Sequence, residues 1–406
     1  MLATVSPTTM TGEPPCLPAV GDVASPTASS GTLRAVRRAF DTIDPVAWDG
    51  LVSATPYATP FSRWAFHRAW WDAYGENAHE ETLVLVSAGA PDDADPVAIA
   101  PLMHRHEVEP QDIELRTKMR HAEGLPLTSV SPDAKAVFFG ASYHADYATL
   151  LAAPADLAAV ADAIADYLAH GGDPGHPDPW DAVDLRRLRC GDPAADALGD
   201  AFGRREMTEG WTLNVEREDV CPVAVLPAGG SIDDYMATLG KKERHEIRRK
   251  VRRAEAVGEV ALTDSADPLA DLPEFIDLHQ KRWGVDGLFP DTPGGTHSRV
   301  FFRRLFELFG ADGPLRLAFL TVGEQRIAAG ISFETPDSVL YYNAGVDPEA
   351  RELSPGVLMV ERYVRRALER GIGRMDFLRG DEPYKYEWGA VDEPIQRLLI
   401  RRTASR

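Results

Sequence analysis

The chain has 406 residues, with 63 acidic against 43 basic side chains and a formal charge of −20 with histidine neutral. That length suits two middling domains better than one, and the acidity excludes a general nucleic-acid or anionic-membrane binder, which needs a basic surface. A content of 44% hydrophobic and 26% charged residues excludes wholesale disorder.

Residues 1 to about 31 are rich in Ser, Thr, Pro, Gly and Ala and cannot bury enough surface to offset their ordering entropy. A disordered tail over 1–45 is expected, with folding beginning between Leu33 and Trp48. A helix is predicted over 61–75, then strands over 82–89 and 96–104 joined by the polar turn APDDAD. After a middle punctuated by Gly and Pro come strand-like 146–152, a helix over 154–171 and a strand over 180–188. The later chain repeats this order, with helix 298–310, strands 315–322, 326–335 and 338–347, helix 355–371 and strand 374–380. Both stretches read helix, hairpin, strand, helix, strand. They are either a duplicated unit or two α/β series alike by chance. The division expected is 46–221 and 222–406, each a mixed-sheet α/β (α+β) unit. In the last helix Val357, Val360, Val364, Ala367 and Leu368 share one face, with Glu361, Arg365 and Glu369 turned outward.

Between the units, 222–260 reads as a strand, a Gly-Gly turn, a helix capped by Ser231 with Asp233 and Asp234 in its first turn, and a second helix. That second helix carries KKERHEIRRKVRR (241–253), eight basic residues against two acids around a narrow apolar stripe of Ile247, Val251 and Ala254. It is either a solvated face or a surface for an anion such as a phosphate-bearing cofactor.

Two junctions are dense in chemistry. At the first, a strand and loop lead into Ser354-Pro355-Gly356, where serine can cap the helix, proline fits its first turn, and glycine leaves the backbone approachable. Free N–H groups and a positive dipole end favour phosphate oxygens there; the plain alternative is a well-capped helix. At the second, the strand of RMDFLRGDEPYKYEWGA (374–390) delivers Asp376, Asp381, Tyr384 and Lys385 just beyond its end, a common ligand position. Tyr386 and Trp388 fit a core cluster. His104 and His106 share a strand face without a third metal ligand at a usual spacing, so no metal site is expected. His144 and His279 fit packed roles better than catalytic ones, and 171–179 reads as a loop rather than a phosphate cradle.

Cys16, Cys190 and Cys221 lie far apart without a CxxC pair, which argues against a disulfide framework and for a reducing compartment. No apolar run approaches the ~20 residues that span a bilayer, and the first residues lack the pattern of a secretory signal. A cytoplasmic location, without membrane insertion, is the expectation.

From about Pro222 to Arg402 the chain resembles the GNAT-type acetyltransferases of the CelD/BcsL-like group, linked by name to cellulose biosynthesis. The resemblance rests on ERHEIRRKVRRAEAVGEV, FIDLHQKRWG, YYNAGVDPEARELSPGVLMV and DFLRGDEPYKYEWG. TPFSRWAFHRAWWDAYG and GASYHADYATLL resemble that group's N-terminal half. More distantly the chain is similar to the Fem-type aminoacyl transferases. The resemblance implies tandem GNAT-like folds and an acyl-CoA donor, most simply acetyl-CoA, bound at splayed strands ahead of the 355–371 helix. It assigns Arg351, Ser354, Pro355, Gly356 and Val357 to the pyrophosphate loop, although Arg351 to Gly356 matches the usual Q/R-x-x-G-x-G/A only in part. It also implies that Asn343 and Ala344 hold the thioester carbonyl and Tyr384 protonates the leaving thiolate. Asp376 or Asp381 would take the substrate proton, and Lys385 would stabilise oxyanion or phosphate charge. The acceptor implied is an amine or hydroxyl of a small molecule or saccharide. Two readings stand beside this one: a Fem-like transferase using aminoacyl-tRNA, and a catalytically silent binding protein of the same fold.

Overall fold

Strands from both halves of the chain join in one sheet in the computed structural model, which describes residues 32–105, 127–131, 133–171 and 179–402. The expected tail up to residue 31, His106 and most of the 171–179 loop lie outside the described residues. The described residues begin within the span assigned to the tail, and part of that span is structured. β1 (Leu33–Arg37) pairs with β3 (Leu83–Ser87), and Asp44 caps helix α1 (Pro45–Ala54) by accepting from the Val46 N–H.

Pro101 has no N–H to give a ladder and divides the predicted strand 96–104. β4 (Ala98–Ala100) closes the small sheet β1-β3-β4, whereas β5 (Leu102–Arg105) enters the large one. The large sheet also contains β2 (Ala78–Glu80), β6 (Ala136–Phe139), β7 (Ala182–Arg189), β8 (Trp211–Val225) and β9 (Val260–Asp264). Its other members are β10 (Leu315–Val322), β11 (Gln325–Glu334), β12 (Ser338–Val346), β13 (Arg374–Asp376) and β14 (Val391–Arg402). Their order is β2-β5-β6-β7-β14-β8-β13-β12-β11-β10-β9.

The repeated pattern of the sequence has a counterpart in this topology. β5 and β6 are antiparallel, and β6 and β7 parallel, joined through α3 (Leu157–Ala169). Likewise β11 and β12 are antiparallel, and β12 and β13 parallel, joined through α9 (Pro355–Glu369). Residues 146–152, read as a strand, make only the bridges Ala148–Leu188 and Ile99–Leu151. β8 runs through the expected 221/222 boundary, and β14, from the far end of the chain, pairs with β7 on one edge and β8 on the other.

On one face of the sheet α2 (Trp64–Tyr74) packs against α8 (Pro293–Phe309) from the other half. Phe66 meets Phe301 edge-on at 5.4 Å, and Tyr74 Oη lies 3.1 Å from Ser298 Oγ. α3 and α4 (Pro193–Gly203) cover β7 and β14. α7 (Pro268–Trp283) lies against β12. The opposite face of the C-terminal half carries α5 (Ile232–Thr238), α6 (Lys241–Glu255) and α9. Ser231 and Asp234 form a capping box at α5, and α6 buries the predicted stripe of Ile247, Val251 and Ala254. Glu361 departs from its predicted outward position. It is 2% exposed and paired with Arg362 and Arg365, because those two guanidinium groups compensate its charge. Cys190 is disulfide-bonded, against the expectation from cysteine spacing, and Cys221 is a buried free thiol.

Candidate functional site

The parallel pairing of β12 with β13 covers three positions, ending at Leu340 and Asp376. Past Asp376 the chain leaves the sheet, since Leu378 (φ 57°) and Gly380 (φ 110°) take left-handed conformations that no strand accommodates. The predicted strand 374–380 is shortened for that reason. β12 continues to Val346 paired with β11 alone, with a bulge beside Tyr342. A wedge-shaped gap opens, and the β12 backbone around Asn343 and Ala344 borders it without a strand partner on that side. Gly345 permits the close approach of α7, because a Cβ there would stand 2.4 Å from the His279 N.

At the mouth of this gap stands the start of α9. Ser354 has φ 58°, and its side chain does not cap the helix as the sequence suggested; the left-handed backbone directs it elsewhere. Its Oγ lies 2.9 Å from Arg253 Nη2, which donates to it. Pro355 has no N–H, and the Val357 and Leu358 N–H groups donate to Ser354 O. The Gly356 N–H has no partner among the described residues, and open space surrounds the position a Cβ would take. Such a start is a seat for an anion. Arg351 is exposed and pairs with Glu352 at 3.5 Å, so the guanidinium held at the helix start belongs to Arg253 of α6.

The loop after β13 ends in the short helix α10 (Pro383–Glu387). Lys385 is 2% exposed, and its ammonium donates to the carbonyls of Leu378 (3.0 Å), Arg379 (2.9 Å) and Gly380 (2.9 Å), with the Glu382 carboxylate at 2.9 Å. All three donors are consumed, so no N–H remains for an oxyanion or a phosphate. This corrects the charge-stabilising role expected of Lys385: it holds the left-handed loop in shape.

Asp376 is buried at the last paired position of β13. Its Oδ2 accepts from Tyr147 Oη at 2.9 Å and its Oδ1 from the Leu378 N–H at 2.8 Å. Burial pushes its carboxyl up to about 6 despite these donors. The Arg189 guanidinium stands over the Tyr147 ring at 4.5 Å. Asp381 is also buried, but its Oδ2 has no hydrogen-bond partner among the described residues, and burial with nearby Glu382 and Asp392 raises its carboxyl from its ordinary value. Tyr384 packs edge-on against Phe377 at 6.1 Å, and burial raises its phenol well above the ordinary tyrosine value. Its hydroxyl has no partner among the described residues. Tyr386 and Trp388 are structural as expected: Tyr386 donates to Asp392 at 2.7 Å, and the Trp388 carbonyl accepts from Tyr235.

Strand alternation divides these groups between faces. Met375, Phe377 and Tyr384 belong to the layer that contains α9, whereas Asp376 meets Tyr147 on the other side. The α9 start and Tyr384 therefore lie on the same side of the sheet, and Asp376 stands where the sheet begins to part. Arg253 and Tyr147 were not singled out from sequence. Arg253 was one of eight basic residues in a run, and Tyr147 lay in an apolar stretch 229 residues from its partner.

His104, His144 and His279 are packed. His144 stacks on Phe301 at 4.2 Å with Nε2 2.8 Å from Tyr74 Oη, and burial lowers it to about 3. Burial lowers His279 to about 4 among Phe275 and Phe289. His104 Nε2 lies 3.5 Å from the buried Glu81. Among the described residues no group of three or more His, Cys, Asp or Glu could hold a metal, and no helix is long and apolar enough to cross a membrane.

No curated protein matches the chain. Among solved structures, FemX superposes with a TM-score of 0.53 at 11% identity, covering 87% of this chain and 96% of its own. A conserved protein of unknown function from Bacteroides thetaiotaomicron superposes with a TM-score of 0.50 at 12% identity, covering 89% of this chain and 98% of its own. At these identities the likeness is one of fold, extending over both halves. Residues 241–386, from the first residue of α6 to Tyr386, match the family model of the acetyltransferase (GNAT) domain.

Proposed function

We propose that the chain is an acyltransferase that moves an acyl group, acetyl in the simplest case, from a coenzyme A thioester to an amine or hydroxyl. The observation that carries this reading is the parting of β12 from β13 beside a helix start whose Gly356 N–H is open. The residues present fit such a donor. Gly356, the N-terminal end of α9 and Arg253 suit its pyrophosphate, and the unpaired edge of β12 suits its amides.

A bound thioester supplies the activated acyl carbon; the protein's own groups position it and manage protons. The β12 backbone at Asn343 or Ala344 gives an N–H to the carbonyl oxygen, where negative charge develops during attack. Asp381, with a free carboxylate oxygen, takes the proton of the attacking amine or hydroxyl, directly or through water. Tyr384 stays protonated and holds a proton for the departing sulfur. Lys385 and Asp376 act at one remove, fixing the loop that carries these two. An assay of thiol release from acetyl-CoA across a panel of amine and hydroxyl acceptors tests the reading. Tyr384→Phe and Asp381→Asn should each lower turnover by about 10²-fold or more, the usual size of a general acid–base contribution. Full turnover in Tyr384→Phe would remove that residue from the mechanism.

A further inference from the structure

The solvent face of α6 has a composition that helix stability does not explain. Its exposed positions are Lys241, Lys242, His245, Arg248, Arg249, Arg252 and Glu255, a nearly uniform basic stripe on a chain of charge −20. Arg248 pairs with exposed Asp233 and Arg249 with Glu246, whereas Lys241, Lys242 and Arg252 make no ion pair among the described residues. Lys241 and Lys242 occupy the first two positions of a helix whose N-cap, Gly240, has no side chain to offer, with Glu243 the one acid of that first turn. Cations there oppose the helix dipole, where acids would stabilise. A merely solvated surface has no reason to place them so.

The stripe also has a direction. α6 has 15 residues and is about 22 Å long, and its C-terminal part delivers Arg253 to Ser354 at the α9 start. That length exceeds what one adenosine moiety can cover.

We propose that the basic face of α6 docks a small acidic carrier protein that presents the acyl group as a phosphopantetheine thioester. This rests on the acyl-donor reading above and names a second form of the same donor. The phosphate of a phosphopantetheine arm stands at the same distance from its thioester as the corresponding phosphate of coenzyme A. It therefore takes the same seat at Gly356 and Arg253. What differs lies outside that seat, and α6 meets it with positive charge matched to an acidic partner. A free helix surface of this kind speeds and orients docking against the repulsion of the acidic body. The chemistry is unchanged: the acceptor nitrogen or oxygen bonds to the acyl carbon and the C–S bond breaks. The sulfur leaves with the electron pair and is protonated, while the acceptor gives up its proton.

The test compares two probes, acetyl-CoA and a bacterial acyl carrier protein bearing acetyl-phosphopantetheine, by calorimetric titration of the full chain. The variant is Lys241→Glu with Lys242→Glu, which places acids where the dipole favours them and so retains the fold, checked by circular dichroism. The expected result is carrier binding that weakens at least tenfold in the variant and falls steeply with salt, while acetyl-CoA affinity stays within twofold. Acetyl-CoA binding without carrier binding, or carrier binding indifferent to the substitutions, overturns the docking proposal and leaves the donor reading standing. Failure of both probes to bind the folded wild type overturns the donor reading itself. Binding of tRNA, in place of the carrier, that depends on Lys241 and Lys242 also overturns the proposal.

Discussion

Lys385 sits in DEPYKYEWG, a run in which a lysine reads equally well as a charge donor to a ligand or as a part of the scaffold. The difference lies in three carbonyls five to seven residues earlier, turned inward by the left-handed backbone at Leu378 and Gly380. No periodicity in the sequence encodes that turn. Lys385→Met leaves those carbonyls without a donor and should cost about 2–4 kcal/mol in urea unfolding, with Lys385→Arg failing to restore it. An unchanged midpoint would show that the cage is dispensable. Asp376 makes a prediction with a definite sign. Its carboxyl is raised from 3.8 to about 6 in the folded protein, so the native state binds its proton more tightly than the unfolded chain does. Its contribution is most favourable below about pH 4 and declines as pH rises to about 6, by about 3 kcal/mol in total. Unfolding of Asp376→Asn, measured from pH 4 to 7, should lack that decline relative to the parent. An identical slope would assign the decline to other groups.

Among the elements, α9 and the β10–β12 series were legible because their apolar periods are clean and their ends are marked by Pro, Gly and short turns. Helix α6 and its buried stripe were equally legible. β14 was not, since VDEPIQRLLIRR opens with acids and a proline, and its place between β7 and β8 depends on partners far away in the sequence, such as Val223 for Val391 and Arg189 for Ile395. The site was legible where local rules govern it. Gly356 at an open helix start follows from Pro and Gly spacing, whereas the Arg253–Ser354 and Tyr147–Asp376 contacts are long-range and leave no local trace. The α9 start offers a test in which stability and binding move in opposite directions. Gly356→Glu adds a carboxylate to open space in the first turn. It should stabilise the helix by about 0.3–1 kcal/mol through the dipole while weakening acetyl-CoA binding at least tenfold. Binding unaffected by the new charge would place the donor phosphates elsewhere.

At the scale of the molecule, the two halves are held together as one body rather than joined by a linker. β14 pairs with β7 and β8 at the centre of the sheet, and α2 packs on α8 across one face. Heat should therefore unfold the described chain in one calorimetric transition, with calorimetric and van't Hoff enthalpies agreeing; two resolved transitions would show that the halves fold separately. The charge of −20 gains meaning from its distribution, because a basic helix face leads to the open start of α9 on an otherwise acidic chain. On the acyl-donor proposal, this start, with the gap between β12 and β13, receives a coenzyme A thioester. Amide hydrogen exchange with and without saturating acetyl-CoA is the decisive measurement. Protection should concentrate at 341–346 and 351–358 and be lost in Arg253→Ala. Unchanged exchange in both segments, with no heat of binding, would contradict it.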